Sequence, residues 1–116
     1  MGLFSKSKQS ESKDLPNYQK ESITSSYDRI IFEHITMDED EYIMSLAQEL
    51  LNGSPLVLNF EDMTPDAANK IMAFLSGVIY ALEGQIEQIN PKIFLFAREQ
   101  EFRDGTLKQF IDEFQE

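Results

Sequence analysis

One helix constrains this chain more than any other segment. Thr64-Pro65-Asp66 has three start signals in a row. A threonine can cap, a proline suits the first helical position, and an acid complements the positive end of the helix dipole. The spacing predicts a helix from there to about Leu82, stopped at Gly84. Ala67, Ala68, Ile71, Met72, Phe74, Leu75, Val78, Ile79, Ala81 and Leu82 form a stripe too wide for one contact. One part of such a stripe can cover a sheet and leave another part for a partner. Gly77 interrupts the helix at a cost of about 1 kcal/mol relative to Ala. Close approach of another backbone would account for that cost; a core helix with a tolerated glycine fits the residues equally well.

The sheet this helix needs can be read on both sides of it. Arg29 to Ile35 is β-branched and aromatic and reads as a strand. Pro55 to Phe60 is short and almost continuously apolar, as in a central strand. Gln85–Ile89 and Lys92–Ala97 make a hairpin about Asn90-Pro91. Its second strand alternates Lys92, Phe94 and Phe96 with Ile93, Leu95 and Ala97, so neither face is expected to be fully wet. Between the first two strands, Ile43, Leu46, Ala47 and Leu50 fall on one helical stripe. Thr36-Met37-Asp38-Glu39 has the spacing of a capping box before it, and Asn52-Gly53 supplies a stop. Glu99–Phe102 is expected as a short edge strand or a loop. After the turn at Asp104-Gly105, Leu107, Phe110, Ile111 and Phe114 mark a last amphipathic helix. The fold class is α/β: a compact two-layer sandwich in β-α-β-α-β-β order with a C-terminal helix. Residues 27–116 make this core.

Ahead of it the chain changes character. Residues 9–26 are polar and serine-rich and read as a disordered, flexible linker, unable to offset their ordering entropy. Residues 1–8 form a short amphipathic segment in which Met1, Leu3 and Phe4 are apolar and Lys6 and Lys8 basic. It reads as a membrane-binding toe or as an ordinary N-terminus. Charge is unevenly spread. The net is −11 over 116 residues. Residues 1–20 hold four lysines against two acids, and the remainder six basic residues against nineteen acids. A body this acidic repels phosphate backbones, so no nucleic acid is expected as partner. The absence of cysteine removes disulfides and thiolate sites. No glycine-rich phosphate loop, nucleophile elbow or metal-ligand pair at helical spacing is present. We expect no catalytic residues, no metal and no cofactor. His34, the sole histidine, reads as structural, and the acids at 38–41 as a helix start and solvated face.

Three pieces carry a family likeness. They are Ser54-Pro55-Leu56-Val57-Leu58-Asn59-Phe60, the helix containing Phe74-Leu75-Ser76-Gly77 and Tyr80-Ala81-Leu82-Glu83-Gly84, and Lys92-Ile93-Phe94-Leu95-Phe96. Over roughly residues 28–97 the chain resembles the SepF family. The resemblance implies a cell-division adaptor, not an enzyme. Such a protein dimerises, binds the FtsZ C-terminal tail and attaches to the cytoplasmic membrane at midcell through its first residues. Carried onto this sequence, it implies membrane contacts from Met1, Leu3, Phe4, Lys6 and Lys8. It tilts Phe74, Gly77, Val78 and Ala81 toward a homodimer contact that can extend to higher polymers. It offers Lys92, Phe94 and Phe96 as partner-binding residues, although an aromatic pair on a strand is more often plain core. The C-terminal helix departs from the family, which usually closes with a strand. A different class of function, a small ligand-binding or sensor domain acting as a dimer, fits the same sandwich.

Overall fold

A computed structural model describes residues 25–115. Four strands and three helices alternate as expected. They are β1 (Ile31–His34), α1 (Asp40–Leu51), β2 (Leu56–Asn59), α2 (Pro65–Ala81), β3 (Gly84–Asn90), β4 (Ile93–Arg98) and α3 (Thr106–Gln115). Short 3-10 turns at Tyr27–Arg29 and Glu99–Phe102 flank the ends. The sheet order is β1-β2-β4-β3. β1 and β2 are parallel, which requires a crossover, and α1 supplies it. β4 then inserts antiparallel between β2 and β3.

The period-2 alternation of the strands sorts their side chains into two cores. Leu56, Leu58 and Phe96 join Ile43, Leu46 and Leu50 of α1 and Ile71, Leu75 and Ile79 of α2 on one face. Val57, Leu95 and Ala97 join Ile89, Leu107 and Ile111 on the other. The two-layer sandwich is therefore α1 and α2 on the sheet, and α3 adds a partial cover to the opposite face. Burial of a side chain such as Leu56 or Leu75 contributes about 1.5–3 kcal/mol, so these two clusters supply the main driving force for the fold.

Local signals were met in part. Thr64 caps α2, its Oγ1 accepting from the Ala67 N–H at 3.2 Å. Gly53 closes α1 at φ +98°, where a side chain would be strained. The expected capping box at Thr36 does not form. α1 begins at Asp40 behind Glu39, which makes no side-chain cap bond. Instead Lys70 of α2 donates to the Asp38 carbonyl at 2.9 Å and stands 3.3 Å from Asp40 Oδ1. At the end of α2 the left-handed residue is Glu83 (φ 57°), not Gly84. Gly84 is required for another reason: a Cβ there would lie 2.4 Å from the Ala97 carbonyl oxygen.

Of the two forms expected for Glu99–Phe102, the strand is not taken: the segment is a 3-10 turn, and Glu101 turns inward. Its carboxylate is buried and meets Arg29, Arg98 (2.6 Å) and the Ser26 hydroxyl (3.0 Å). Ser26 N–H donates to Asp104 Oδ2 at 2.8 Å and Tyr27 N–H to Thr106 Oγ1 at 3.0 Å. Ser25 and Ser26, assigned by sequence to the linker, thus belong to the folded part. The rest of that linker and the amphipathic segment lie outside the described residues.

Candidate partner-binding surfaces

The turn after β2 and the β3–β4 hairpin meet at one end of the sheet. Phe60 N–H donates to the Lys92 carbonyl at 2.8 Å, extending the β2–β4 pairing by one bond. Asn90 Oδ1 accepts from Lys92 N–H at 2.9 Å and fixes the hairpin tip. Met63 N–H returns to the Phe60 carbonyl at 2.9 Å, so the chain turns directly into α2. The result is a groove of about 340 Å³. Phe60, Met63, Ala68, Met72 and Phe94 give it apolar walls, and Lys92 stands exposed at its rim. Phe60 and Phe94 meet edge to face, with centroids 6.0 Å apart. An apolar trough with one cation beside it suits a short peptide that carries both apolar side chains and a carboxylate.

Of the three partner-binding candidates, Lys92 and Phe94 line this groove and Phe96 does not. Phe96 is fully buried against α1 and α2. It is core, because its position in the β4 alternation puts it beneath both helices. The residues that complete the groove, Phe60, Met63, Ala68 and Met72, come from a different part of the chain. The excess width of the α2 stripe was a sequence sign of Ala68 and Met72; Phe60 ends an apparent strand, and nothing marked Met63.

The outer face of α2 is a second surface. Phe74 is 44% exposed and Tyr80 86%; Gly77 and Ala81 are exposed and Val78 half-buried. Nothing within 4 Å would meet a Cβ at Gly77, so no contact inside the protomer calls for glycine there. Beside it, Ile43, Met44 and Phe74, with Asp40 and Lys70, line a cleft of about 360 Å³ between α1 and α2. Met1, Leu3, Phe4, Lys6 and Lys8 lie outside the described residues. Among the described residues no helix is long and apolar enough to cross a membrane.

Among the described residues, two ionisable groups are displaced from their ordinary values, and neither lines the groove. Desolvation, and then the hydrogen bond to Glu33 Oε1 at 2.9 Å, push the Tyr42 hydroxyl up to about 12. The backbone N–H groups of Thr106 and Ser26 hold the Asp104 carboxyl below its usual value. Both serve packing and turn geometry.

Among the described residues, a groove with one rim cation and an outer helix face bearing exposed apolar side chains define a small α/β module with two candidate docking surfaces. The family model for "Cell division protein SepF" matches residues 35–99, more than half of the chain. A protein of that name from Carboxydothermus hydrogenoformans is 36% identical over 83 residues, which are 72% of this chain and 58% of the relative. One from Lactobacillus acidophilus is 32% identical over 93 residues, 80% of this chain and 63% of the relative. One from Lactobacillus helveticus is 39% identical over 67 residues, 58% and 46% of the two chains. The matched region thus spans roughly half to three-fifths of these relatives. The chain belongs to the SepF family of cell-division proteins. That family is one of cell-division proteins.

Proposed function

We propose that the chain is a non-catalytic adaptor that tethers FtsZ filaments to the cytoplasmic membrane at the division site by holding the FtsZ C-terminal tail. Family membership supports the division role. The observation that carries the tail-binding reading is the groove between Phe60, Met72 and Phe94 with Lys92 at its rim. Apolar side chains of the tail enter the trough and an acidic group or terminal carboxylate pairs with Lys92. Residues 1–8 provide the membrane contact. Two copies joined through Phe74, Gly77, Val78 and Ala81 present two anchors and two grooves. Bivalency then raises the effective concentration of weak contacts without any new one.

The test is fluorescence anisotropy with the FtsZ tail peptide of the same organism and the full chain. Saturable micromolar binding is expected, absent with a scrambled peptide. Lys92→Glu should weaken it and make the remainder less sensitive to salt. Met72→Ala should weaken it with the salt dependence unchanged. Removing residues 1–8 should abolish co-sedimentation with anionic liposomes and leave peptide binding intact. Tail binding that is indifferent to both groove substitutions would overturn the assignment of the groove.

A further inference from the structure

The turn that forms one wall of the groove also carries a second cluster of side chains. β1 ends at His34 and β2 at Asn59, side by side in the parallel pair. The chain leaving β2 is held tightly, with Asn59 Oδ1 accepting from the Glu61 N–H at 2.9 Å. This brings Glu61 and Asp62 back over the end of β1. His34 Nε2 lies 2.6 Å from Asp62 Oδ2. One ligand atom from each of His34, Glu61 and Asp62 lies within 4.8 Å of the other two. All three side chains are exposed.

We propose that His34, Glu61 and Asp62 bind a divalent transition-metal ion of the zinc class. Acids alone would gather no particular ion. The imidazole changes the chemistry, because a nitrogen donor with two carboxylates suits zinc and its neighbours, whereas magnesium and calcium want oxygen throughout. The donors come from two elements 27 positions apart, brought together by the parallel register and not by a floppy acidic run. No lysine or arginine among the described residues forms an ion pair with Glu61 or Asp62. Zinc bonds of about 2.0–2.1 Å at a tetrahedral angle put ligand atoms roughly 3.3 Å apart. The ion therefore enters between His34 Nε2 and Asp62, replacing their hydrogen bond, and draws Glu61 inward. Each movement is a rotation of an exposed side chain. Three protein ligands leave a fourth position for water or for a donor from another molecule. Because Glu61 and Asp62 sit between Phe60 and Met63, the bound ion also ties the groove wall to the end of β1.

The experiment is calorimetric titration of zinc chloride into untagged full-length chain in a non-chelating buffer near neutral pH. One ion per chain with micromolar affinity is expected, undiminished by millimolar magnesium. His34→Ala and Asp62→Asn should each weaken it at least about tenfold, the loss that even a group behind a ligand can bring. Asp38→Asn, in the acidic run elsewhere, should leave it unchanged. Nitrogen-15 NMR of the single imidazole should show the Nε2 resonance shifting on zinc addition. Absence of binding, or binding that survives both His34→Ala and Asp62→Asn unchanged, would overturn the site. Because these side chains are exposed, circular dichroism melts of the metal-free variants should match the parent and rule out loss of fold as the cause.

Discussion

Replacing Glu101 by alanine tests whether an ion cluster fixes the start of the fold. Glu101 has a side chain only 4% exposed and is shared by Arg29, Arg98 and Ser26. Removing it leaves two guanidinium groups facing each other without their common acceptor. Arg98 already has a buried Nε with no partner, so it has little reserve. Breaking a buried ion pair by deleting one member costs about 3–5 kcal/mol. Arg29 is 38% exposed and Arg98 24%, and water can rescue part of each, so the lower end applies, about 3 kcal/mol. At about 4–8 °C per kcal/mol for a domain of this size, the melting midpoint should fall by roughly 12–24 °C. Thermal and urea melts followed by circular dichroism measure it. Glu101→Gln should fall between, since it still accepts from Ser26. The matching surface control is Lys108→Ala, which breaks an exposed pair with Asp112 and should cost under about 0.5 kcal/mol. A Glu101→Ala midpoint within about 4 °C of the parent would refute the reasoning, since the cluster would then be worth no more than a surface pair.

Further outcomes can be checked with the same melts. Gly84→Ala should destabilise by about 1–3 kcal/mol or more, because the new methyl meets the Ala97 carbonyl, whereas Gly77→Ala should stabilise the isolated protomer by about 1 kcal/mol. Dimerisation measured by ultracentrifugation should weaken in Gly77→Ala if that helix face meets a second copy closely. The Asp104 carboxyl is held below its ordinary value of 3.8, so its stabilising contribution is present above that pH and lost as pH falls through the lowered value; Asp104→Asn should flatten the acid limb of a stability–pH profile. Tyr42 is raised from 10.0 to about 12, so its contribution is intact below pH 10 and lost as pH rises through that window. Tyr42→Phe should remove this alkaline dependence.

Much of the fold was legible because its signals are local. The apolar stripes of α1, α2 and α3 and the alternation of β4 each report a face within a few residues. What the sequence hid was set by distant partners. Arg98 to Glu101 is a charged run, and nothing nearby says that Glu101 is buried; its second cation, Arg29, stands 72 positions away. The left-handed turn fell on Glu83 because Gly84 was reserved for the crowded approach to β4. The candidate groove was half legible. Lys92 and Phe94 are on an obvious strand, but Phe96 sits under the helices, and the opposite wall is supplied by a turn and by α2. His34 gave no hint of Glu61 and Asp62, because adjacency between the ends of parallel strands has no sequence period.

The bonds that join Ser26, Tyr27 and Arg29 to the 99–106 segment also set how the domain carries load. A pull on the chain ahead of Ser25 does not reach the sheet first. It is taken by a cross-brace of several polar bonds and the Tyr27–Phe110 ring contact, which must fail together before β1 can be peeled from β2. The brace spans nearly the whole domain in sequence, so tension entering at one end is passed to α3 at the other. The hydrogen bonds of the outermost strand are spared until the brace ruptures.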